Sequence, residues 1–151
     1  MSTNAQVRTA WNTNVFSNFS GVSSYAYAID PDSGVDANLG ISSGIVNFWQ
    51  YVVKSTEVPQ LMGKNQLLFE VVVSRVIQDD LTGANHNVAI DDFRTLIDYV
   101  NDNLDTDWGG TVDKSTEFPT PGDFNVEPFK WGSTPCWRGT MTFRAEKLVN
   151  A

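Results

Sequence analysis

Two hydrophobic periodicities follow one another in the middle of this sequence, and together they constrain the fold more than any other feature. Residues 66–78 (QLLFEVVVSRVIQ) alternate, with Leu67, Phe69, Val71, Val73 and Ile77 on one side. Gln66, Glu70, Ser74 and Gln78 dilute the other side. A period of two is that of a β-strand with one face buried. After a short polar turn, Ile90, Phe93, Leu96, Ile97, Val100 and Leu104 recur at steps of three and four. That spacing predicts an amphipathic helix over residues 87–104 with one core-facing stripe. Asp91 and Asp92 fall near its expected start, where the macrodipole favours anions. A strand needs cover and a helix needs a surface, so this unit predicts a helix packed on a sheet. It carries none of the equipment of an active site.

The rest of the chain supplies more of the same sheet. Residues 3–16 suit a helix with Val7, Ala10, Trp11 and Val15 on one face and Ser2 or Thr3 as N-cap. Residues 22–29 alternate weakly and read as a strand. Residues 30–44 (DPDSGVDANLGISSG) form a loop rich in turn-favouring residues. Residues 45–54 are apolar on both faces, with Ile45, Trp49, Tyr51 and Val53 on one and Val46, Phe48 and Val52 on the other. That pattern fits a central strand, or one whose outer face packs on another subunit. Residues 55–65 read as a hairpin-like connection through Pro59 and Gly63. Residues 105–136 are irregular, with short strands expected near 111–112 and 124–129. Residues 137–148 alternate cleanly, Trp137, Gly139, Met141, Phe143 and Ala145 against Arg138, Thr140, Thr142, Arg144 and Glu146. They predict a half-buried strand antiparallel to a neighbour. No repeat, low-complexity segment or linker interrupts the 151 residues, so a single domain is expected.

Charge and composition narrow the function classes. The formal net charge is −8, and an acidic surface repels phosphate backbones, which argues against a nucleic-acid coat. Nine Phe, five Trp and four Tyr suit both a generous core and the aromatic anchors of an assembling protein. One cysteine, Cys136, excludes an internal disulfide, and with His86 as the one histidine it leaves no Cys/His metal cluster. Cys136 is expected to be a small buried hydrophobe. There is no signal-peptide pattern and no apolar run of transmembrane length, so a soluble protein made in a cytoplasm is expected.

Asp30, Asp32 and Asp36 start like a calcium loop, but Val35 and Ile41 stand where an EF-hand needs Gly and Glu. Asp79-Asp80 and Asp91-Asp92 are better suited to turn formation and helix-dipole pairing than to acid–base work. His86 sits in a polar turn without a nucleophile motif, and no phosphate-binding glycine loop occurs. Arg75, a charge on an apolar face, is expected to pair inside the fold or across a subunit boundary. No catalytic, cofactor or metal residue is assigned, and the chain is not expected to be an enzyme.

In order and texture the chain resembles the tail terminators, or tail completion proteins, of tailed phages. The resemblance rests on an N-terminal helix, a strand and long loop before a Trp/Val strand, the helix in DDLTGANHNVAIDDFRTLIDYVNDNL, and the closing CWRGTMTFRAEKLV. It implies an α+β fold, an antiparallel or mixed sheet with the N-terminal and central helices packed on one face. It also implies a homo-oligomeric ring, expected to be hexameric, in the virion at the tail–neck junction. One ring face would bind the tail tube protein and the other the head–neck connector or stopper, with DNA passing through the lumen and no membrane or cofactor involved. On aromatic enrichment at hot spots, Trp49, Tyr51 and the loop residues Leu39 and Trp131 are the expected interface anchors, the competing reading being core aromatics and exposed loop residues, with Arg75 as a candidate pair across the boundary. Other neck proteins, a tube-like subunit, or a small carboxylate-dependent hydrolase or lysis factor are the competing readings.

Overall fold

The computed structural model describes residues 4–19, 22–25, 41–42, 45–60, 62–104, 107–115 and 125–150. The first element is a helix, α1 (Asn4–Asn14), whose inward residues Val7 and Trp11 are buried. A single 3-10 turn at Phe16–Asn18 carries Phe16 into the core behind them. Strands β1 (Val22–Tyr25), β2 (Ile41–Ser42), β3 (Ile45–Pro59) and β4 (Lys64–Gln78) follow. Helix α2 (Ala84–Asn103) comes next, then β5 (Lys114–Ser115), β6 (Asn125–Trp131) and β7 (Thr134–Asn150).

The sheet is mixed and built on three long antiparallel strands. β4 lies between β3 and β7, paired to β3 from Asn47↔Ile77 to Pro59↔Asn65 and to β7 from Lys64↔Asn150 to Gln78↔Cys136. β1 runs parallel to β3, and β2 antiparallel to its start. β6 and β5 pair with β7. The fold is therefore a single α+β domain with both helices on one face of the sheet.

Several elements are longer than their side-chain patterns predict. The expected 55–65 connection is strand up to Pro59, because the tight turn holds the two backbones in register whatever their side chains. That turn uses a left-handed backbone at Met62 (φ 65°) and Gly63 (φ 70°), and Gln60 N–H donates to the Lys64 carbonyl at 2.9 Å. Helix α2 starts at Ala84, three residues before the expected Asn87, after Gly83 (φ 82°) reverses the chain. Asp91 and Asp92 therefore lie beyond its first turn, and the expected dipole pairing does not describe them. Its buried stripe is Ala89, Phe93, Leu96, Ile97 and Val100, with Ile90 half-buried beside it.

The main core lies between helices and sheet. Trp49, Tyr51 and Val53 of β3, Leu67 to Val73 of β4 in alternation, and Met141, Phe143 and Ala145 of β7 form its floor. Trp11 is its aromatic hub, 4.9 Å from Phe143 and 5.2 Å from Trp108 between ring centroids. A smaller cluster occupies the opposite sheet face, where Trp131 packs edge-on against Phe48 at 4.9 Å beside Val46, Val76 and Cys136. The two-sided apolar pattern of β3 is thus met in part by the chain's own β6.

Candidate functional site

The most heavily built polar position in the structure is Arg75. Strand alternation puts it on the helix-covered face of β4, opposite Trp49 on β3 and Gly139 on β7. Its Nε–H donates to Asp92 Oδ2 at 2.9 Å, and its Nη1 donates to the carbonyls of Phe48 and Val76 at 3.0 Å each. The guanidinium carbon stands 5.4 Å from the Trp49 ring centroid, a cation–π distance. The Arg75 side chain is 5% exposed and that of Asp92 is 32% exposed. An arginine does not give up its proton in a protein, so this arrangement offers no acid–base chemistry. It is a clamp that ties α2 to two strands. Gly139 completes the seat, since a Cβ there would lie 2.1 Å from Phe93 Cε2.

The paired carboxylates are spent on local structure. Asp79 Oδ1 accepts from Leu81 N–H at 2.9 Å and Asp80 Oδ1 from Thr82 N–H at 3.2 Å, forming the turn between β4 and α2. Desolvation pushes the Asp80 carboxyl upward, but hydrogen bonds from the Thr82 backbone and hydroxyl and from the Asn85 backbone together outweigh it and hold its pKa below the ordinary value. Asn85 Nδ2 donates to the Gln78 carbonyl at 2.8 Å, closing the turn onto the strand end. Asp91 is exposed and pairs with Arg94 at 3.5 Å.

His86, expected in a surface loop, is in the first turn of α2 and meets Trp137 edge-on at 4.6 Å. Cys136 is buried, with its Sγ–H 3.5 Å from the Thr134 carbonyl. Burial pushes the thiol pKa up, helped by the nearby Asp79 charge and opposed by a hydrogen bond from Trp131. A cavity of about 360 Å³ beside it is lined by Asp79, Phe129, Lys130 and Trp137. A second, open groove of about 600 Å³ runs between α1 and the Gly109-Gly110 turn, lined by Thr9, Thr13, Asn14 and Lys147. The smaller one is also lined by the Cys136 thiol, but burial and the Asp79 charge make that thiol harder to ionise, and Asp79 Oδ1 already accepts from Leu81 N–H. Among the described residues, no three or more His, Cys, Asp or Glu side chains are grouped to hold a metal ion.

Comparison of the sequence with protein-family models and with curated proteins finds no match. No helix among the described residues is long and apolar enough to cross a membrane.

Four of the five expected interface residues are described, and all four are interior. Trp49, Tyr51, Arg75 and Trp131 are 4%, 1%, 4% and 3% exposed, so none offers a partner much surface in this subunit. Trp49 packs on Phe93, Tyr51 stacks on Phe16, and Trp131 covers Phe48. Arg75 pairs inside the fold. Leu39, with the acidic stretch Asp30, Asp32 and Asp36, lies outside the described residues. The surface apolar residues are different ones. Met62 is 96% exposed at the β3–β4 turn and Leu81 is 87% exposed at the β4–α2 turn. Both hold a left-handed backbone, with φ of 65° and 64°, which disfavours a side-chain-bearing residue. Sequence reasoning passed over them because they stand in turns and outside any periodic pattern.

Proposed function

We propose that this chain is a structural virion protein, a ring-forming tail terminator that caps a phage tail tube and joins it to the head–neck connector. Its role is steric, without chemistry of its own. The observation that carries the reading is the placement of Met62 and Leu81 at opposite ends of β4. That strand has 15 residues. At about 3.3 Å per residue it spans about 50 Å, longer than the usual strand of about 5–6 residues. A subunit held between two layers needs contacts at both poles and a stiff body between them. The long β3–β4–β7 slab supplies the body, and the exposed apolar turns supply a contact at each end. The net charge of −8 supports passage of DNA through the lumen without capture.

The deciding experiment deletes the coding region from the phage and measures tails by electron microscopy. Overlong tubes and heads left unjoined are expected, with rescue by the native chain and weak rescue by Met62→Asp or Leu81→Asp. Tails of normal length on normally joined heads would sink the proposal. A reconstruction that seats the chain elsewhere in the neck or within the tube would move it to one of those roles.

A further inference from the structure

The sulfur atoms of this chain are unequally open to solvent. Among the described residues they belong to Met62, Cys136 and Met141. Met141 is 2% exposed in the main core, and Cys136 is 2% exposed in the smaller cluster beside Val46, Phe48 and Val76. Met62 is 96% exposed. Its place is fixed by the backbone. The left-handed φ of 65° at Met62 and 70° at Gly63 turns the chain at the tip of the β3–β4 hairpin. Gln60 N–H closes the turn on the Lys64 carbonyl at 2.9 Å, and Gln60 Nε2 donates to Gln66 Oε1 at 3.4 Å. A thioether at that tip is open to any small solute. At the other end of β4, Leu81 is 87% exposed and offers hydrocarbon alone. The two apolar ends are therefore similar in exposure and different in chemistry: mild oxidants attack a thioether and leave an alkyl side chain untouched.

We propose that Met62 is a redox-sensitive contact: a peroxide converts it to the sulfoxide and releases that end of the subunit from the adjoining layer, while the Leu81 end holds. This rests on the terminator reading above, and it names how one of its two junctions is regulated. In the step, the peroxide O–O bond breaks and one of its oxygens forms a bond to Met62 Sδ. The sulfur is oxidised by two electrons and the peroxide is reduced, with water leaving when the oxidant is hydrogen peroxide. The product carries a strong dipole and an acceptor oxygen where the contact needs a flexible apolar side chain. Burying that oxygen against an apolar partner leaves it without a hydrogen bond, which opposes the contact. The change is reversible, because methionine sulfoxide reductases restore the thioether.

Peroxide treatment followed by complementation tests it. The native chain is exposed to hydrogen peroxide and mapped by peptide mass. Met62 is expected to gain oxygen at least about tenfold faster than Met141, with the difference lost in denaturant and the thermal melt of the oxidised chain unchanged. Purified chain is then added to an extract of phage lacking its coding region. Four forms are compared: native, oxidised, oxidised then treated with methionine sulfoxide reductases, and Met62→Gln. The last puts a polar side chain of similar length at the tip without peroxide, so Met1, outside the described residues, stays unoxidised. Native and re-reduced chain should restore both tail length and head joining. Oxidised chain and Met62→Gln should each lose one of these functions by at least about tenfold and keep the other, the same one in both cases. Met141 oxidised as fast as Met62, or either altered form restoring both functions, would overturn the switch. So would loss of both functions together, or a loss that the reductases do not reverse. All of these outcomes leave the terminator reading standing. Normal tails in phage without the chain would sink that reading and the switch with it, whatever the peroxide map shows.

Discussion

Arg75 and Asp92 are 17 residues apart in the chain and 2.9 Å apart in the structure, joining the C-terminal part of β4 to the third turn of α2. The pair sits under helix cover beside Trp49, where a lone charge would be poorly solvated. Asp92→Ala is expected to destabilise by about 2–3 kcal/mol. That is below the about 3–5 kcal/mol for a fully buried pair, because Asp92 is partly exposed. The double variant Arg75→Met, Asp92→Leu should be closer to native than Asp92→Ala alone, since it removes both charges. Urea unfolding midpoints at a constant m-value check this, and a double variant less stable than Asp92→Ala would contradict it.

Gly139→Ala is expected to cost about 2–3 kcal/mol through overpacking, since the new methyl group would overlap the Phe93 ring. Phe93→Leu in the same background should return part of that loss by vacating the ring position. Additive losses in the two single variants and the double variant would mean that the close approach is not the cause.

Trp11→Ala should cost about 3–5 kcal/mol, as it empties the contact point of Phe16, Trp108 and Phe143. Trp11→Phe should cost clearly less. Among the described residues the buried indole Nε1 has no hydrogen-bond partner, so phenylalanine gives up volume but no bond. Equal losses for the two variants would speak against this packing account.

The raised pKa of Cys136 fixes the sign of a pH effect. A thiol harder to ionise in the fold than in the unfolded chain contributes stability that is present below the unfolded pKa. The contribution is lost as pH rises through the ordinary thiol range, about 8–9, towards the folded value. Native Cys136 should accordingly react with a thiol reagent much more slowly than the same chain in denaturant at about pH 8. Cys136→Ala should flatten the alkaline arm of the stability curve. Rapid labelling of the native chain would show the site to be open.

How much of this was legible beforehand depends on whether a feature is local. The β7 alternation and the α2 stripe were readable because each element buries one face, and a buried face writes its period into its own residues. That sufficed for a helix packed on a sheet, whereas the α+β class with both helices on one face was implied by the resemblance to the tail terminators. The 55–59 extension of β3 was not readable, because STEVP carries no burial pattern and owes its strand state to backbone pairing with β4. Trp49, Tyr51 and Trp131 looked like anchors for a partner because an aromatic side chain reads the same in a core and at an interface. Which of the two it serves depends on what stands across from it, and here Phe93, Phe16 and Phe48 do.

By itself, the sequence determined the elements, their order, the side each long one buries and the overall negative charge. The tertiary structure alone decided that Arg75 meets Asp92, that Phe93 needs a glycine at position 139, and that Trp131 covers Phe48. The physical reason is common to all three. Periodicity records the contact of an element with an apolar interior as a whole. Pairings between individual residues follow from the rotation and register of packed elements, which no single stretch of chain contains.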